Sequence, residues 1–413
     1  MAYYIMQHPQ QYSPAYNGVI FVTSGTSNTA VNYNYICDIW FSGSTVYDIR
    51  VKAPVRPNGY GLFDLKFLSD YLTHDISIET SGSAGWKQNT NSYKAFDVHF
   101  GEEKGTSATI TENILSSGTY FVFNGSLGFR EFVDYDQNDY MSPTFSPSFY
   151  PYMLTNMPLV QNKIGSDENA WMYLMQRESK YWTNFQIETY DSTGTDIGRW
   201  EVANPYTAFT NHNNRFLRFP AGTRNVNRIP NSSFVDALMI QPIITSAVAS
   251  YRVFCDHVIG LQTKSYYFEI DQQCTKNDVY RFHFLNTLGG FDSFSFIRDN
   301  KKSEQIDKRF YKRLAGNFSG SSLIYADSDI QKRAYSTSSV ERIIIQSDWV
   351  KEDVYTWLYE LISSPVVYWD DNDELVSVVI TNQSYEYKQD GRDKVFNISL
   401  EVEMPYTKKR QSY

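Results

Sequence analysis

Val395-Phe396-Asn397-Ile398-Ser399-Leu400-Glu401-Val402-Glu403 alternates apolar and polar side chains along its whole length. Successive side chains of an extended chain point to opposite faces, so this stretch predicts a β-strand with one buried face and one that is wet or paired. Leu375 to Asn382 reads as a second long strand, joined to Lys394 through Gln389-Asp390-Gly391. Ahead of both lies the clearest helix signal in the chain, 347–363. Ser347 or Asp348 can cap it, Glu352 and Asp353 occupy first turns where the dipole favours acids, and Val350, Val354, Trp357, Leu358 and Leu361 form an apolar stripe. Trp349, Val354, Trp357, Leu358 and Leu361 are the expected packing face, and Ser363-Ser364-Pro365 ends the helix. The C-terminal block, 261–413, therefore reads as a sheet packed on one helix. Tyr266 to Ile270 and Tyr280 to Phe284 add strands, and Leu288, Gly289, Gly290 and Phe291 form a turn that re-aims the sheet.

Outward from this block the chain is punctuated differently. Val19 to Thr23 precedes the turn cluster Ser24 to Asn28, and Tyr33 to Phe41 puts Tyr35, Cys37, Ile39 and Phe41 on one face. Ser42-Gly43-Ser44 turns it into Thr45 to Val51 as a hairpin, and Leu65, Leu68 and Leu72 have the spacing of one short helix. Lys94 to Phe100 and Tyr120 to Phe123 alternate again. Ala170 to Met175, Phe185 to Tyr190 and Gly198 to Val202 read as strands, the last two joined at Asp191-Ser192-Thr193-Gly194, and Leu238 to Phe254 is a long β-prone run. Short strands with turn signals every eight to twelve residues or so are the pattern of a sandwich of the immunoglobulin or fibronectin type. The expected fold is mainly β: a sandwich over 1–133, a linker at 134–165 rich in Pro, Ser and Tyr, a second sandwich over 166–260, and the sheet-plus-helix domain.

Composition limits what such a chain does. Lys and Arg number 37 against 46 Asp and Glu, a net charge of −9, which lacks the basic footprint of a protein that grips phosphate backbones. The opening MAYYIMQHPQQYSP has no basic segment followed by an apolar core, and no stretch reaches the roughly 18 apolar residues of a membrane span, so a soluble chain without secretory export is expected. Cys37, Cys255 and Cys274 form no CxxC pair and read as small buried hydrophobes.

The search for chemistry returns little. His8, His74, His99, His212, His257 and His283 are scattered, without zinc-ligand spacing. Cys255-Asp256-His257 puts thiol and imidazole on one side of a strand, which in isolation is core and not catalyst. Asp134, Asp136 and Asn138 have the spacing of a calcium loop, but Asp139 replaces its glycine and Phe145 its bidentate glutamate. Asp370 to Glu374 is a solvated acidic loop. No nucleophile elbow, phosphate loop or complete dinucleotide fingerprint occurs, and the expectation is a non-enzyme without metal or cofactor. The 33 Tyr, 27 Phe and 8 Trp are spread over every block, which favours cores and subunit contacts over one sugar-stacking loop; Ser146 to Tyr152 is the stretch where stacking stays open.

Several segments also resemble a known family. QQYSPAYNGVIFV, YNYICDIWFSGSTVYDIRVKAP, NGYGLFDLKFLSDYL and ETYDSTGTDIGRWEV, then YRFHFLNTLGGFDSFSF, KKSEQIDKRFYKRL, SDWVKEDVYTWLYELISSPVVYW and LVSVVITNQSYEYKQDGRDKVFNISLEVEM, resemble virion tail proteins of tailed bacteriophages of Bacteroidetes, the crAss-like phages among them. The resemblance touches all blocks, though each motif is a strand or turn signature without diagnostic chemistry. It implies a structural protein of the tail or tail hub, its last domain similar to tail-tube and distal-tail proteins. The implied partners are copies of itself in a six- or twelve-fold ring and other tail proteins, with DNA only passing through the lumen and no membrane. The implied location is the virion tail, assembled in host cytoplasm, with acidic residues towards the DNA. A receptor- or glycan-binding tail accessory is the alternative.

Overall fold

The computed structural model describes residues 3–410 except 27, 42–45, 75, 80–81, 107–108, 144–149, 161, 179, 210–211, 237, 259, 273–276, 313, 328–331 and 382–394, and the side chains of the described residues other than 3, 106–117 and 395. The protein is mainly β, with several sheets. It divides into two compact units, Met1–Gln272 with His283–Ser293, and Gln273–Phe282 with Phe294–Tyr413.

The first unit opens with two sheets facing each other. Tyr3–Gln7, Ile20–Gly25 and Tyr60–Asp64 make one; Tyr12–Pro14, Thr109–Phe123, Tyr93–Thr106, Asn34–Phe41 and Ile49–Pro54 make the other. Alternation explains the core between them: Phe21 and Phe63 from the first sheet meet Phe100 from the second at ring separations of 5.0 and 5.6 Å. Tyr35, Cys37 and Ile39 are buried in the same cluster, as their spacing predicts, and Leu65, Leu68 and Leu72 close it from a 3-10 turn, Lys66–Tyr71. Each buried ring contributes about 1.5 to 3 kcal/mol relative to exposure. Asn34–Phe41 pairs with Ile49–Pro54 as expected, while the turn at 42–44 lies outside the described residues.

A second pair of sheets follows in the same unit. Asn162–Gly165, Tyr266–Asp271, Ser250–His257, Trp182–Tyr190 and Asp196–Ala203 form one, and Trp171–Met175, Phe216–Pro220 and Lys87–Gln88 the other. Phe185 and Phe219 stack between them at 3.7 Å. The tight turn at Asp191 forms as its composition predicts, its carboxylate accepting from the Thr193 and Thr195 amides.

Four expectations for this unit change. Lys87–Gln88 pairs with Phe216–Pro220, so a strand from the first block completes a sheet of the second. Tyr266–Asp271, read as part of the C-terminal block, pairs with Ser250–His257 and Asn162–Gly165. The described residues of 134–158 are no bare surface linker, because Tyr135, Met141, Met153, Leu154 and Met157 are buried. The β-prone run from Leu238 also yields a strand only from Ser250. Ahead of it Leu238 and Ile240 are exposed while Ile243 and Ile244 are buried, so the apolar residues serve different sides of an irregular segment.

The second unit is built on a seven-stranded sheet in the order Phe291–Phe296, Tyr280–Leu285, Val367–Asp371, Glu374–Ile380, Ser399–Lys409, Lys332–Gln346, Asn300–Lys312. Of its first two strands, 294–296 and 280–282 belong to this unit. The alternation over 395–403 is real but broken. Val395–Phe396 pairs with Val350–Lys351, and the long strand begins at Ser399 and runs to Lys409. Ser347 causes the jog, its hydroxyl accepting from the Ile398 amide while the Ile398 carbonyl accepts from the Ser347 amide. Past it, Leu400 and Val402 face Ile345 and Ile343 across the ladder, all buried.

The predicted helix is shorter and split, Glu352–Trp357 and Tyr359–Ser363. Neither Ser347 nor Asp348 caps it; Lys351 stands at the N-cap position and makes no side-chain cap bond. The Asp348 carboxylate instead accepts from the Trp349 amide and Arg298, and Val350–Lys351 is extended.

Candidate functional site

Two features of the second unit stand out from its sheet. The first is an arm. Asn300–Lys312 and Lys332–Gln346 pair antiparallel over their length, with Pro405 to Lys409 continuing alongside on the other flank of Lys332–Gln346. Strand Asn300–Lys312 is a sheet edge, and residues 301–312 are all exposed. Bulges at Arg309/Phe310 and Val340/Arg342 bend and twist the ladder. At the far end Asn317–Phe318 pairs with Leu323–Ile324. Along this arm Ile306, Phe310, Leu314, Phe318, Ile324 and Tyr325 are all exposed, Leu314 by 85% and Phe318 by 66%. Segment 300–346 carries nine Lys and Arg against five Asp and Glu, in a chain of net charge −9.

The arm is stitched by surface charges. Lys408 Nζ lies 2.9 Å from Glu304 and 3.6 Å from Glu341, and Arg342 bridges Glu401 at 3.0 Å and Glu403 at 2.9 Å. Its hydrogen bond to Glu304 raises the Lys408 pKa and lowers that of Glu304, so both stay charged. Exposed pairs of this kind add little stability and set register more than they hold the fold.

The second feature is a groove of about 380 Å³ on the sheet face. Ladder partners share a face, so Trp369, Val376, Val402 and Ile343 lie on one side, by way of the pairs Trp369 with Val376, Val367 with Val378, Ile380 with Val402 and Ile343 with Val402. Along the sheet Phe282 meets Phe296, Phe296 meets Phe294, and Phe294 meets Trp357 of the helix edge-on at 6.1 Å. Further along, Trp369 and Tyr406 rise beside a floor of Ile343, Val376 and Met404. Lys302, Lys408, Glu341, Asp371 and Glu374 complete the lining. A hydrogen bond to the Tyr280 hydroxyl raises the pKa of Lys302.

The residues expected to matter from sequence fall into two groups in different units. In the first unit, Leu288 and Phe291 are buried, and Gly289 sits at φ +81°, where an added Cβ would lie 2.6 Å from the Asn124 carbonyl oxygen. A Cβ on Gly290 would come within 2.9 Å of the Leu154 carbonyl oxygen. Asn286 ties the turn, its Oδ1 accepting from the amides of Leu288 and Gly290 while Nδ2 donates to Leu154 and Asp292. In the second unit, Val354, Trp357, Leu358 and Leu361 are buried as the stripe predicts. Trp349 is not part of that face: it precedes the extended Val350–Lys351 and is 62% exposed.

Other candidates resolve into structure. Asp136 accepts from the Asn138 amide and side chain, so the calcium-like spacing is used by a turn. Among the described residues no group of three or more His, Cys, Asp and Glu could hold a metal. Cys37 and Cys255 are buried free thiols, and Cys274 lies outside the described residues. Burial pushes the Cys255 thiol well up and the His257 ring down, leaving a protonated thiol beside a neutral imidazole, the opposite of an activated nucleophile. Of Ser146 to Tyr152, residues 146–149 lie outside the described set, and Tyr152 takes the Lys264 ammonium on its hydroxyl at 2.8 Å. No described helix is long and apolar enough to cross a membrane.

Sequence reasoning missed both the arm and the groove. For the arm a signal was present: two charge-rich runs without Pro or Gly, 300–312 and 332–346, flank a Gly- and Ser-rich 316–322. The groove joins five strands that meet through sheet order and left no local trace. Compared with known proteins, the chain matches no family model and no curated protein.

Proposed function

We propose that the chain is a structural component of a phage virion, forming an oligomeric ring of the tail or tail hub that helps build the conduit for DNA and attaches neighbouring tail proteins. In this reading the paired sheets of the first unit are sandwiches of the immunoglobulin or fibronectin type, and the second unit is a tail-tube-like domain. The observation that carries it is the arm: a strand of thirteen residues that lies at the sheet edge among the described residues, followed by exposed Leu314, Phe318, Ile324 and Tyr325. Bare edges and contiguous apolar tips are liabilities on a lone molecule and assets in an assembly. The occupant is a second copy of this chain. An arm rich in Lys and Arg complements the remainder of the chain, which is more acidic than the −9 total, and identical head-to-tail contacts close into rings when the rotation allows.

Multi-angle light scattering with negative-stain imaging of the purified chain tests this. Closed rings are expected, and Phe318→Ser combined with Ile324→Ser converts them to monomers of unchanged melting temperature. A monomer at high concentration, or an arm that binds duplex DNA while its removal leaves rings intact, overturns the reading.

A further inference from the structure

The groove on the face of the seven-stranded sheet is separate from the arm tip and poses its own chemical question. Its volume, about 380 Å³, falls within the range of roughly 300 to 1,000 Å³ typical of small-ligand sites. It has an apolar floor, two aromatic side chains rising from that floor, and charges of both signs around the rim.

Charge narrows the ligand. Asp371 and Glu374 accept hydrogen bonds and repel anions; Lys302 donates and repels cations, while Lys408 is paired with Glu304 and Glu341. A phosphate or sulfate would face the carboxylates, and an amine would face the ammoniums. A hydroxyl both donates and accepts, so a ligand bearing several hydroxyls and no net charge answers the whole rim. Glu374 has no side-chain partner among the described residues, which leaves its carboxylate available to such a donor.

Shape and surface narrow it further. Trp369 is half-buried with its ring 5.5 Å from that of Tyr280, which holds it in place, while Tyr406 is 64% exposed and its ring is open to solvent. Aromatic rings with one face free take the C–H faces of pyranoses, burying apolar area while the sugar's equatorial hydroxyls reach sideways to charged groups. A peptide strand would need ladder groups, and these belong to the sheet edge and not to its face.

From these features we infer that the groove binds a neutral oligosaccharide, stacked on Trp369 and Tyr406 and hydrogen-bonded through its hydroxyls to Asp371, Glu374 and Lys302. The inference does not rest on ring assembly, since every residue it uses comes from one chain.

The test is calorimetric titration and tryptophan fluorescence with a panel of neutral hexasaccharides of glucose, mannose, galactose and xylose, with oligogalacturonate as an acidic counterpart. At least one neutral oligosaccharide should bind and shift the emission, and Tyr406→Ala and Asp371→Asn should each weaken it by about tenfold. Tyr406 is too exposed for its truncation to unfold the sheet, so loss of binding in that variant reports on the site. Phe318→Ser with Ile324→Ser should leave the titration unchanged, which separates this site from the arm. Absence of binding by every neutral probe, tighter binding of oligogalacturonate, or affinities unmoved by both groove variants would overturn the inference.

Discussion

The cores between paired sheets in the first unit and the arm of the second use the same residue types to opposite ends. Phe21, Phe63, Phe100 and Phe185 alternate along strands and are almost completely buried, while Phe310, Phe318 and Tyr335 occupy comparable positions in paired strands and are exposed. Strand propensity and alternation are satisfied in both places. What differs is whether a second layer covers the face. Aromatic enrichment in this chain therefore reports two things, a fold that holds itself together and a surface left for something else, and only the layer opposite tells them apart.

The largest expected effects lie on the covered side. Phe185→Ala removes a ring stacked on Phe219 and should cost about 3 to 5 kcal/mol, as should Trp357→Ala on the helix stripe. Trp349→Ala, eight residues earlier and exposed, should stay within about 0.5 kcal/mol. Chemical denaturation of the three variants measures this directly. Equal losses for Trp357→Ala and Trp349→Ala would erase the distinction between covered and bare aromatics in the second unit.

A smaller loss is expected at Gly289. Its left-handed backbone penalises any Cβ by about 1 to 2 kcal/mol, and the Asn124 carbonyl adds a steric term. Gly289→Ala should therefore lower the melting temperature of the parent by several degrees, and a neutral substitution there would show that the turn relaxes freely.

Much of the strand architecture was legible because local pattern and tertiary environment agree. Tyr35, Cys37 and Ile39, the Asp191 turn and the stripe Val354, Trp357, Leu358 and Leu361 behave as their spacing predicts. Failures have nonlocal causes. Ser347 reaches across to Ile398 and breaks a strand that its own alternation would continue, and Arg298 occupies the carboxylate of Asp348 that would have capped the helix. Lys87–Gln88 carries almost no strand signal and is extended because Phe216–Pro220 offers it a ladder. Of the sites, the turn at Gly289 was readable from its glycines. The groove was not, because Lys302, Trp369, Glu374 and Tyr406 come from separate strands and meet only through sheet order.

The smallest expected effect on stability is the one that sharpens the comparison most. Phe318 and Ile324 are 66% and 55% exposed, so replacing both with Ser should change the unfolding free energy by no more than about 0.5 kcal/mol per site. Exposed apolar area that stabilises nothing within the molecule is expected to act between molecules. Differential scanning calorimetry at low concentration, where the proposed assembly would dissociate, isolates the intramolecular part. A drop comparable to that of Phe185→Ala would mean that the tip is packed within its own chain. An unchanged transition at low concentration, with a parent that melts higher as concentration rises and a variant that does not, assigns the contribution of Phe318 and Ile324 to contacts between copies.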